Sequence, residues 1–61
     1  MKRNEILMKM LVLNDSLNRH TGLLDSDIQN GDNDITVRMV KRTLTGIRKL
    51  MVQLEAFEKL L

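Results

Sequence analysis

The residues of this chain whose types could do chemistry are few: one histidine, His20, two serines, Ser16 and Ser26, and aspartates at alternate positions, Asp25 with Asp27 and Asp32 with Asp34. A histidine that binds a metal or moves a proton needs a second ligand or an orienting carboxylate within reach. On a helix the neighbours of His20 three and four residues away are Ser16, Leu17, Leu23 and Leu24, none of them acidic, so the expectation is a structural or interfacial histidine. Ser16 and Ser26 have no His or Lys at a spacing that would activate a hydroxyl, and Gly22, Gly31 and Gly46 are too scattered to form a phosphate cradle. The aspartates invite a calcium-loop reading, because alternate side chains of a turn can present oxygen ligands. Begun at Asp25, however, an EF-hand loop puts Asn30 where glycine is needed and Thr36 where a bidentate Glu should close the site. The acidic cluster therefore reads as loop solvation and helix capping. No catalytic residue, metal, cofactor or small-molecule substrate is expected.

A second set of residues carries charge rather than reactivity. Arg38, Lys41, Arg42, Arg48 and Lys49 fall in one polar sector of a helical projection, with neutral Thr45 among them. Such a stripe suits phosphates, since a helix fits the major groove and Lys and Arg supply sequence-independent affinity. Residues 35–61 hold six basic and two acidic side chains, while residues 25–34 hold four aspartates and no base, so charge is polarised along the chain. Against nucleic acid stand a net charge of only +2, no legible helix-turn-helix, and the lack of Trp and Tyr as stacking platforms. A basic face opposite an apolar one is also how an ordinary solvated helix looks. Nucleic-acid contact through these five residues is accordingly the second reading, behind association with protein.

Both sets depend on the elements that carry them. Proline is absent, Phe57 is the only aromatic ring, and 43 % hydrophobic against 30 % charged residues is enough apolar content for a folded chain, with helices favoured over short strands. At about 100° per residue, Ile6, Met10, Leu13, Leu17, His20, Leu24 and Ile28 share one face, which predicts a helix over about 4–29. Gly22 leaves two forms open. The helix either continues, with or without a kink, or stops after Arg19 and His20, with Ser26 and Gln29 opening a short further helix as a capping box. Asn30-Gly31-Asp32-Asn33-Asp34 has no apolar residue and predicts a loop over about 30–34, in which Asn33 or Asp34 caps the next helix. The β-branched Ile35, Thr36 and Val37 could start a strand, but their alternation is not sustained into Lys41 and Arg42. Val37, Val40, Leu44, Ile47, Met51 and Leu54 instead hold a 3-4-3-4-3 spacing, which predicts a helix over about 35–59. The short connection makes the two helices antiparallel neighbours in a single domain spanning 1–61. The fold class is all-α, an antiparallel helical hairpin.

Neither helix can hide its apolar residues against one neighbour. Residues 6–13 hold seven apolar side chains among eight, which sends Leu7, Met8, Leu11 and Val12 away from the main stripe. Met39, Leu50 and Phe57 widen the apolar arc of the second helix to roughly 160°, more than a two-helix seam uses. With no cysteine for a disulfide or a thiolate zinc site, association is the reinforcement left to so short a chain. A homodimer forming a four-helix bundle is the simplest form, with Leu7, Met10, Leu11, Leu13, Leu17, Leu44, Ile47, Met51, Leu54 and Phe57 as the expected interface. The expected function is a non-enzymatic protein–protein interaction module, a regulatory adaptor built on a homo-oligomer. A nucleic-acid-binding regulator comes second, and a heterologous structural subunit or chaperone-like adaptor third. No apolar run reaches the ~18 residues of a spanning helix, and the Lys2-Arg3 start lacks a small-residue cleavage site after its apolar stretch, so a soluble, cytoplasmic protein without membrane contact is expected.

Overall fold

A chain rich in Leu, Met, Lys and Arg and free of proline has little to interrupt helix formation. The computed structural model describes residues 1–31 and 34–61. Helix α1 runs Arg3–Asn30 and helix α2 runs Asp34–Glu58, and the two pack along each other as a hairpin measuring 46 × 14 × 9 Å. Asp32 and Asn33, which include one of the two expected caps, lie outside the described residues. Asp34 stands in the first turn of α2, where a carboxylate meets the positive end of the helix dipole.

Helix α1 passes through Gly22 unbroken, which decides between the two forms the sequence left open. The glycine costs the helix about 1 kcal/mol, but Leu17 and His20 before it and Leu24 after it are half-buried against α2, so packing on both sides holds the turn in place. Side chains next to the glycine also bond to carbonyls of their own helix: Thr21 Oγ1 donates to the Asn18 carbonyl at 2.9 Å, and His20 Nδ1 donates to that of Ser16 at 2.8 Å. At its far end α2 tightens into a turn, with the amides of Leu60 and Leu61 donating to the carbonyls of Phe57 and Glu58, both at 3.0 Å.

The line of contact between the helices is formed by Ile6, Met10, Leu13, Leu17, His20, Leu24 and Asp27 on α1 and by Thr36, Val40, Thr43, Ile47, Leu50, Leu54 and Phe57 on α2. Both sets alternate steps of four and three, the seven-residue repeat of helices that supercoil to keep one seam together. Among the described residues only Ile6 is buried, at 3 % exposure, and the rest of the seam is half-buried. Four positions differ from the faces expected of straight helices. Ile28 is 61 % exposed while Asp27 takes its place, Val37 and Met51 lie outside the seam while Thr36 and Leu50 lie within it, and Leu44 moves to the edge of the seam beside Thr43.

Register is set where His20 meets Gly46. A Cβ on Gly46 would lie 2.9 Å from His20 Cδ2 and 3.1 Å from Nε2, so the imidazole fills the space that a side chain at 46 would occupy. Stepping outward from this pair, the antiparallel run aligns Leu17, Leu13 and Met10 with Leu50, Leu54 and Phe57 toward the termini. Leu24 and Asp27 align with Thr43 and Val40 toward the connection. Leu13 and Phe57 share one surface depression with Lys9 and Val12, and Ile28, Gly31, Thr36 and Val40 share another, as this register requires. The seam is therefore apolar at the terminal end and mixed, with Asp27, Thr36 and Thr43, at the connected end.

Candidate functional site

Writing the heptad as abcdefg, with Met10 and Val40 at a and Leu13 and Leu50 at d, an antiparallel pair brings the e positions of both helices to one flank and the g positions to the other. The e flank carries Leu7, Asn14, Thr21 and Ile28 from α1 and Val37, Leu44, Met51 and Glu58 from α2. Glu58, at the edge, is its single charge. Leu7, Ile28, Val37 and Met51 remain between 47 and 61 % exposed in the hairpin, and Leu44 is half-buried. The g flank is mixed, with Lys9, Ser16, Leu23 and Asn30 facing Met39, Gly46, Gln53 and Leu60.

Helix α2 explains the difference between flanks. Its most apolar stripe, Val37-Val40-Leu44-Ile47-Met51-Leu54, occupies positions a and e, whereas the seam toward α1 uses a and d, two of whose d residues are Thr36 and Thr43. The apolar direction of α2 thus points between α1 and the e flank, and one neighbour covers only part of it. Of the ten residues expected at an interface, Met10, Leu13, Leu17, Ile47, Leu54 and Phe57 serve the seam within the hairpin, and Leu44 sits at its edge. Leu7, Leu11 and Met51 face outward. Sequence reasoning missed Ile28 and Val37 as partners of Leu7 and Met51 on one flank; the antiparallel register applied to the heptad would have found them.

The five cations Arg38, Lys41, Arg42, Arg48 and Lys49 occupy the outward positions b, c and f of α2 and are all exposed. Thr45, between them, turns its hydroxyl inward to donate to the Lys41 carbonyl at 3.0 Å. On the back of α1 two acids are engaged locally: Asp15 accepts from Arg19 at 2.7 Å and Asp25 accepts from the Gln29 amide at 3.1 Å. Among the described residues no three His, Asp or Glu side chains gather as a metal site, and no helix is long and apolar enough to cross a membrane. Asp32, one of the aspartates of the calcium reading, lies outside the described residues.

No protein-family model, curated protein or solved structure matches the chain.

Proposed function

We propose that the chain is a self-associating interaction module whose hairpins pair through the e flank into a dimeric four-helix bundle, serving as a non-enzymatic protein connector. The observation that carries this reading is the sideways aim of α2. Its a, d and e positions are apolar except at Thr36, Thr43 and the terminal Glu58, the broad face of a bundle helix rather than the narrow band of an isolated two-helix seam.

A second copy, turned about a two-fold axis crossing the middle of the flank, supports the same reading. That operation sets Leu7 over Ile28 of the other copy and Asn14 over Thr21 along α1, and brings the two Met51 side chains together near the axis, so the middle of the shared face is apolar or neutral and the Glu58 charges lie toward its ends. Covering the exposed half of each large apolar side chain is worth about 1 kcal/mol, and each contact away from the axis occurs twice by symmetry.

Light scattering behind a sizing column, combined with melting at several concentrations, tests the proposal. A mass of two chains and a midpoint that rises with protein concentration are expected. A folded monomer at low micromolar concentration, with a midpoint indifferent to dilution, overturns it.

A further inference from the structure

We infer that the outer face of α2 is a binding surface for the phosphate backbone of a nucleic-acid duplex. This goes beyond self-association and stands on α2 alone. Arg38, Lys41, Arg42, Arg48 and Lys49 are exposed along about 16 Å of helix. Arg38 lies three and four residues before Lys41 and Arg42, spacings at which like charges on a helix repel. Within the described residues Asp34, four residues before Arg38, offsets that repulsion at one end only. Their one ion pair joins Arg19 to Asp15 on α1, and Asp25, also on α1, is engaged by Gln29. The acids that share the outer face of α2, Asp34 and Glu55, bound the stripe at its two ends rather than interrupt it. A cationic stripe left mostly unbalanced by its own molecule is matched by a polyanion from outside it.

The anion is a duplex rather than a single strand because Phe57, the only Phe, Tyr or Trp of the chain, is committed to the seam, so the outer face offers no aromatic platform for successive unpaired bases. One helix also fits a major groove about 12 Å wide, and regularly spaced phosphates give affinity without sequence readout. An anionic membrane suits the face less well. A helix lying in the headgroup layer sinks its apolar side beneath its basic one, and the a and d residues of α2 are turned toward α1.

Fluorescence polarisation with a labelled DNA duplex of about 20 base pairs tests the assignment, alongside a single strand of the same length and vesicles containing phosphatidylserine. If all five cations meet phosphates, affinity falls roughly 500-fold between about 50 and 200 mM salt. In Arg38→Glu the new carboxylate stands three and four residues before Lys41 and Arg42 and four after Asp34, so two repulsions become attractions while one attraction becomes a repulsion; the variant should keep its fold while binding the duplex at least about tenfold more weakly. Lys41→Gln with Lys49→Gln, both good helix formers, should weaken binding and flatten its salt dependence. No binding at low salt, duplex affinity unchanged in Arg38→Glu, or equal affinity for the single strand or the vesicles each overturns the assignment. The mass measured in the same samples keeps the two ideas apart: a monomer that binds duplex in this way sinks the bundle and leaves this surface standing.

Discussion

His20 and Gly46 are one feature shared by two helices. The imidazole is held on one side by its Nδ1–H bond to the Ser16 carbonyl, and its other edge lies where a Cβ at position 46 would be. An alanine at 46 would bring the helix about 1 kcal/mol but would push the ring off a hydrogen bond worth about the same. Gly22 has nothing within 4 Å of its Cβ direction and so no such conflict. Gly22→Ala should accordingly stabilise the protein by about 1 kcal/mol, whereas Gly46→Ala should be neutral or destabilising by about 1 kcal/mol. In a His20→Ala background the second substitution should recover its helical gain, which gives a coupling of about 1 kcal/mol in a denaturant-melt double-mutant cycle. Full additivity would show that the ring does not depend on the glycine. The sequence alone presents Gly46 as a bare weakness in a helix, because its reason lies in a residue on the other helix of the hairpin.

At the scale of the elements, both helices and their antiparallel pairing were legible from apolar spacing and the polar residues between them. What was not legible was the exact seam. A projection at 3.6 residues per turn puts Ile28 in line with Met10, Leu17 and Leu24, but two helices that stay in contact follow a 3.5 repeat, and over two heptads the difference amounts to about one-ninth of a turn. Asp27 is thereby carried in and Ile28 out. On α2 the strongest apolar stripe belongs jointly to the seam and to the flank, and no pattern within one helix says which half faces its partner. The composition of the seam predicts uneven stability along the rods. Amides around Met10, Leu13, Leu50 and Leu54 should exchange with solvent more slowly than those around Leu24, Asp27, Thr36 and Val40, measured by native-state hydrogen exchange. Uniform protection from one end to the other would show that the polar layers weaken nothing.

For the whole molecule, the direction in which each exposed apolar residue points matters more than its exposure. Met51 and Val52 are neighbours, 48 and 65 % exposed, but Met51 lies on the e flank and Val52 on the outer face. Met51→Asp should lower the mass from two chains to one, or unfold the protein at micromolar concentration, while Val52→Asp should leave mass and fold intact by light scattering and circular dichroism. Equal effects of the two would remove the e flank from consideration. With its apolar layers toward the termini and its polar ones toward the connection, the hairpin resembles a pair of tongs gripping hardest at the tips, far from the joint. Severing the backbone between the rods would thus make their meeting depend on concentration without removing the apolar grip that holds them, and the two fragments should reassociate when mixed.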